Sequence, residues 1–253
     1  MPLDLTGNRL LSTSIGVEGQ PLKIISPNLV MHLDASNINS INASQNWWYD
    51  LSGNSNNARL INGASYVSTY SGGIYFAGST NYAEIFNSST LAMTSAMSLV
   101  AWFSIPQNGL PERQAIFSKP YYNYELGIYP GGYIHTYTRA GTGASVPNYD
   151  EGTNAYLNTG GDWVANTPYM VVWTLNGATE NTYFNGVIAS NGGTYTKGNS
   201  GTNNTSDSLL LGCRAATGLF LKGTIYLAQV YNTTLSSTNI VNLYNSQKSR
   251  FGL

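Results

Sequence analysis

"TYFNGVIA", residues 182–189, sets the pair Asn185-Gly186 between two short runs of β-branched and aromatic residues. A type I′ turn needs positive φ at both central positions, which Asn-Gly supplies at little steric cost, so the stretch predicts a two-residue β-hairpin. "IYPGGYIH", residues 128–135, predicts a second hairpin around Pro130-Gly131-Gly132. Outward from these, segments of the same kind recur: "LVMHLDA" (29–35), "GIYFAG" (73–78), "MSLVAWFSI" (97–105), "QAIFSK" (114–119), "YMVVWTL" (169–175), "SLLLGC" (208–213) and "KGTIYLAQVY" (222–231). Each suits a pleated, half-buried surface and is bounded by Gly, Asn, Ser or Thr. Crossover helices have no room between them, so the pattern predicts an all-β sandwich or barrel of antiparallel strands. One helix is expected, in "LSSTNIVNLYNSQKSRF" (235–251). Ser236 or Ser237 caps it, Ile240, Leu243 and Tyr244 share one face, basic residues close the last turn, and it packs on the sandwich edge.

Composition removes several function classes. A chain of 253 residues can bury a full core without a metal or disulfide. Charged residues make up 9% of it and the formal net charge is -1, so no basic stripe invites nucleic acid or an anionic membrane surface. No apolar run approaches the roughly 20 residues that span a bilayer. "MPLDLTGNRLLSTSIGVEGQ", residues 1–20, has no basic leader, apolar core or cleavage site, which predicts synthesis in the cytoplasm without a signal peptide. The lone Cys213 excludes an internal disulfide framework and reads as the end of a buried strand. Without export, the Asn-x-Ser/Thr triplets at Asn42, Asn87, Asn203, Asn204 and Asn232 read as turn chemistry.

Residues 1–26 differ from the rest. Leu3, Leu5, Leu10, Leu11, Ile15, Val17, Leu22 and Ile24 are scattered without a period, and Pro27 bounds the stretch. The expectation is an N-terminal arm of residues 1–26 ahead of one domain of residues 27–253. The arm is too apolar to lie comfortably in water, so it docks on neighbouring chains, as a homo-oligomer or in a larger assembly.

"NWWYDLSGNSNN", residues 46–57, poses a separate question, because rings beside amides and a carboxylate suit either a sugar-binding surface or a packed corner. In an extended strand Trp47 and Trp48 point to opposite faces, leaving one of them exposed. From residue 28 on, this segment, "NLVMHLDASN", "IYFAGSTNYAEI", "MSLVAWFSI", "NTYFNGV", "LLLGC" and "FLKGTIYLAQVYNTTLSSTNIVNLY" follow an order that resembles the laminin-G-like members of the concanavalin A-like lectin/glucanase superfamily. More narrowly, the set looks like the versions found in tailed-bacteriophage virion and tail proteins. The resemblance implies a jelly-roll sandwich of two curved antiparallel sheets, closed by residues 220–236, with Gly223 turning into a last strand whose Ile225, Leu227 and Val230 face inward. It also implies that residues 46–57 are a corner, with Trp48 in the core edge, Asp50 and Asn54 bonded to nearby backbone amides, and Gly53 in a turn.

Catalytic arrangements are absent from the sequence pattern. Laminarinase-like relatives carry a Glu-x-Asp-x-x-Glu strand, and none of Glu18, Glu84, Glu112, Glu125, Glu151 and Glu180 belongs to one. The acidic pair Asp150-Glu151 sits in what reads as a Gly/Asn loop. His32 and His135 lie in strand segments without a nucleophile elbow, and with Cys213 they cannot supply a zinc site. No catalytic residue and no cofactor is therefore expected. Calcium stays open through Asp150, Glu151 and Asp162, although no ordered Asp-x-Asp pattern supports it.

Residues 121–137, "YYNYELGIYPGGYIHTY", are the most informative stretch for function. Tyr133, His135 and Tyr137 share one face of a strand and Tyr129 lies across the turn, flanked in sequence by Arg139, Asn148, Tyr149 and Trp163. Two readings stand: a stacking platform for a glycan, or rings paired across strands or against a neighbouring subunit. The resemblance and the arm together imply a virion structural protein, a head decoration or tail accessory docked on capsid or tail proteins. The alternative is a carbohydrate-binding adhesin for host surface polysaccharide.

Overall fold

The computed structural model describes residues 28–42, 46–120, 123–138, 150–156, 162–196, 202, 206–215 and 218–253. The arm of residues 1–26 and its boundary lie outside them. In chain order the first strands are β1 (Leu29–Asp34), β2 (Ile41–Asn42), β3 (Trp47–Trp48), β4 (Ala58–Ile61), β5 (Ser65–Val67), β6 (Gly73–Ala77) and β7 (Tyr82–Ile85). Then follow β8 (Ala96–Ser104), β9 (Gln114–Lys119), β10 (Tyr124–Tyr129), β11 (Tyr133–Thr138), β12 (Asp150–Tyr156), β13 (Tyr169–Asn176) and β14 (Thr179–Phe184). The last are β15 (Val187–Ile188), β16 (Thr194–Thr196), β17 (Leu209–Leu211) and β18 (Lys222–Tyr231), before the helix α1 (Ser237–Gln247) and a 3-10 turn at Lys248–Phe251.

The strands form two antiparallel sheets. Sheet A runs β15-β14-β13-β8-β18-β6-β5, with β1 also on β18 and β16 on β14; sheet B runs β12-β11-β10-β9-β17-β7-β4-β3-β2. Alternation places Leu99, Ala101 and Phe103 of β8 and Val171, Trp173 and Leu175 of β13 in the core between the sheets. Sheet B meets them with Ala83, Ile85, Leu126, Ile128 and Ile134. Both predicted hairpins form, and Asn185 (φ 48°) and Gly186 (φ 86°) adopt the two positive φ values that the turn needs.

Strand β8 is buried on both faces because α1 covers the outer side of sheet A. There Val100, Trp102, Met170 and Val172 pack with Ile240, Leu243 and Phe251. The helix thus lies over the sheet's central strands rather than on the sandwich edge, and Ser236 caps it by accepting the Asn239 N–H. Two residues of β18 are also placed differently from the sequence expectation. A bulge between Ile225 and Leu227 sends both Tyr226 and Leu227 to the helix side, while Ile225 and Val230 enter the core.

The tryptophan corner is a hydrogen-bonded structure. Trp48 is fully buried, while Trp47 is half-buried and stacks loosely on Tyr49. Asp50 accepts from the backbone of His32, Ser52 and Asn56. Asn54 works the other way: its Nδ2 donates to the Leu29 carbonyl, so it closes on an acceptor and not on an amide.

Candidate functional site

The outer face of sheet B, the side away from the core, is crossed by one row of side chains in mutual register. Trp47 stands opposite Arg59, Arg59 opposite Glu84, Glu84 opposite Leu210, and the row continues through Ser118 and Glu125 to Tyr137. Among the described residues no helix covers this face, in contrast to sheet A. Its charged side chains are paired with one another. Arg59 pairs with Glu84 at 2.9 Å, and both Arg113 and Arg214 pair with Glu125, the latter at 2.9 Å.

Strands β10 and β11 bring the predicted rings together on this face. Tyr129 stacks on Tyr133 with centroids 4.9 Å apart and 19° between planes, and His135 lies 5.2 Å from Tyr129. The Arg113 guanidinium sits 5.3 Å from the Tyr129 centroid, and that of Arg214 sits 5.4 Å from Tyr137. Gly127 stands opposite His135, where a Cβ would crowd the Gln114 carbonyl at 3.0 Å but would only touch Arg113 and Glu125 at 3.7 Å. A guanidinium over a desolvated ring contributes about 1–2 kcal/mol, and the shared carboxylate holds both guanidinium groups in place.

This arrangement divides the predicted residues between the two readings, packed rings and open platform. His135 and Tyr137 are only 3% and 5% exposed, so they act as packed rungs, and the half-buried Tyr129 and Tyr133 carry the aromatic surface at the hairpin end. Trp163 is not on the face at all. Its indole is buried in the core against Phe103 and Tyr169, and its ring N–H donates to the Tyr129 carbonyl at 2.8 Å. Asp162 is a clamp at the same turn, accepting from the backbone of Gly131 at 3.1 Å and Trp163 at 2.7 Å. Arg139, Asn148 and Tyr149 lie outside the described residues. Asp150 and Glu151 belong to the backbone of β12, with Glu151 in register with Tyr137, and not to a loop. The two arginines were missed because Arg113 and Arg214 sit outside any motif, 101 positions apart in the chain (214 − 113).

Other buried polar groups fall away from this face. His32 is 8% exposed beside Gln229, and burial lowers its pKa against the opposing pull of Asp34 and Asp50. Lys119 is 1% exposed, its Nζ donates to Asn87 Oδ1 at 2.8 Å, and burial lowers its pKa as well. Among the described residues no three His, Cys, Asp or Glu side chains converge as a metal site would require.

A laminin G family model of the concanavalin A-like lectin/glucanases superfamily matches residues 77–241, and the chain belongs to that superfamily. No curated protein matches the sequence. Among solved structures, the chain is similar to the botulinum neurotoxin serotype D binding domain (TM-score 0.66, 14% identity, 88% of this chain and 53% of that one). It is also similar to domain 4 of AbnA, an extracellular arabinanase of Geobacillus stearothermophilus solved with arabinotriose (TM-score 0.63, 15% identity, 86% of this chain and 98% of that one). A third is the Trypanosoma rangeli sialidase (TM-score 0.58, 19% identity), matched over 92% of this chain and 35% of that one. The chain spans about half the length of the toxin binding domains it matches, and these likenesses establish the sandwich fold.

Proposed function

We propose that this chain is a non-catalytic glycan-binding domain that meets its ligand on the outer face of sheet B, at the tyrosine hairpin. The observation that carries this reading is the stacked Tyr129–Tyr133 pair, half-buried at the end of β10 and β11, with Arg113 beside the Tyr129 ring and Asp162 and Trp163 bonded to the backbone of the turn. A rigid aromatic surface of this kind accepts the C–H face of a sugar ring without further ordering cost. AbnA domain 4, matched over nearly its whole length, supports the reading because it is described in complex with arabinotriose. Calcium has no part in the proposal; Asp162 Oδ1 accepts two backbone N–H groups of the turn. The test is retention on immobilised polysaccharides, with Tyr129→Ala/Tyr133→Ala beside the unmodified chain. The double variant should lose retention with its thermal midpoint within a few degrees of the parent, and EDTA should change nothing. Equal retention by both proteins sinks the assignment.

A second reading concerns where such a domain is displayed. The apolar residues of the segment 1–26 and the resemblance to phage virion domains support a structural role on a capsid or tail, with the arm as the attachment. Co-sedimentation with particles lacking this protein decides it: the full chain should pellet and a version starting at Pro27 should not. Pelleting of both, or of neither, removes the arm from the explanation.

A further inference from the structure

A second feature of the outer face of sheet B lies at its opposite end from the tyrosine hairpin. There a cleft of about 210 Å³ opens between Trp47, Asn57, Phe86, Asn87 and Ser88. Phe86 is 52% exposed although it follows a strand whose inward residue, Ile85, is fully buried. Its ring is fixed by the Arg59 guanidinium 5.4 Å from its centroid, and Arg59 is itself held by Glu84. An exposed ring fixed beside a second, half-buried aromatic is a surface built for contact.

The polar lining is constrained in a way that selects a ligand. Asn57 Oδ1 accepts the Asp50 N–H at 2.8 Å, and Asn87 Oδ1 accepts from Lys119 Nζ at 2.8 Å. Each carboxamide oxygen therefore has one of its two lone pairs engaged by the fold, while its Nδ2 group keeps both N–H donors to offer to the cleft. Asn56, between them in the lining, is consumed by Ser88, Val30 and Thr90. Charge does not favour an anion. Arg59 is neutralised by Glu84, and Lys119 is buried behind Asn87. The volume lies below the ~300–1,000 Å³ of sites for drug-sized ligands, which suits one ring and not an extended chain.

We infer that this cleft is a subsite for a single neutral sugar unit, stacked on Phe86 and Trp47 and receiving hydrogen bonds from the carboxamides of Asn57 and Asn87. Lys119 acts as a positioning residue, turning Asn87 so that its N–H groups face the ligand. The site is separate from the tyrosine hairpin and stands whether or not the hairpin binds.

Side-chain amide NMR signals of the full chain, titrated with L-arabinose, methyl glucoside, methyl galactoside and galacturonate, test it. Concentrations of about 50 mM are enough to reveal a Kd in the millimolar range. The Asn57 and Asn87 amide signals, assigned by their loss in Asn57→Asp and Asn87→Asp, should shift with at least one neutral sugar. They should shift equally in Tyr129→Ala/Tyr133→Ala, and Phe86→Ala should weaken the response about tenfold, the order of one lost ring contact. Asn87→Asp keeps its partner on Lys119, so loss of the response in that variant reports the lost donors and not a lost fold. The inference is overturned if no neutral sugar moves these signals, if galacturonate alone does, or if Phe86→Ala leaves the response unchanged. Shifts confined to the hairpin would overturn the cleft and keep the hairpin reading; shifts confined to the cleft would do the reverse.

Discussion

The Asp50 carboxylate receives the backbone N–H of His32 at 2.8 Å, of Ser52 at 2.9 Å and of Asn56 at 2.9 Å, and the Ser52 hydroxyl at 2.7 Å. One side chain thereby ties β1 to the loop that leaves β3. Asp50→Ala should cost about 3 kcal/mol, because it strands backbone donors that a charged acceptor had satisfied. Urea unfolding measures this, and a loss below about 1 kcal/mol would mean that water replaces the carboxylate. The role of Asp50 was legible in the sequence, since Asp beside Ser, Gly and Asn marks a turn whose backbone needs a partner. Glu125 was not legible. Its meaning depends on Arg113 and Arg214 arriving from two distant segments, and only the pairing of β9, β10 and β17 brings them to one place.

Among the elements, α1 and the turn after it close the outer face of sheet A through two residues. Phe251 stacks on Trp102 with centroids 4.1 Å apart and also meets Tyr226. Arg250 donates to the carbonyls of Tyr70 and Gly72 and to the Asp34 carboxylate. Phe251→Ala should cost about 3–4 kcal/mol through the cavity it leaves. For a domain of this size the thermal midpoint then falls by roughly 10 °C, which a melting curve reads directly. A fall of under about 3 °C would show that Trp102 and Tyr244 collapse into the space. Helix existence, its cap and its apolar face followed from periodicity. Its seat over the central strands did not, because the outward apolar residues of β8 and β13 read as core and nothing local says which layer covers them. The bulge in β18 is similarly invisible, since "GTIYLAQVY" alternates acceptably in either register.

For the molecule as a whole, the sandwich class was readable from strand spacing and turn residues, and the superfamily from the order of its landmarks. The asymmetry between the two outer faces was not. Sheet A is sealed by a helix. Sheet B has no such helix among the described residues: Arg59 is exposed and Trp47, Glu84, Tyr129 and Tyr133 are half-buried, while Ser118, Glu125, His135 and Tyr137 are buried. In the function proposed above, the ligand meets this side of the protein.

The position of β18 bears on how the chain is made. It lies at the centre of sheet A, with β8 along one side and β6 and β1 sharing the other, yet it spans residues 222–231. While a ribosome is still upstream of this segment, the strands that will flank it present unpaired edges. Such edges are the places where nascent chains pair with one another. Sheet A is completed only after β18 emerges, and Arg250 then links the turn after α1 to Asp34 of β1. Until residues 222–231 are made, β8, β6 and β1 each keep an edge open to a neighbouring nascent chain, and that interval is when mispairing is easiest.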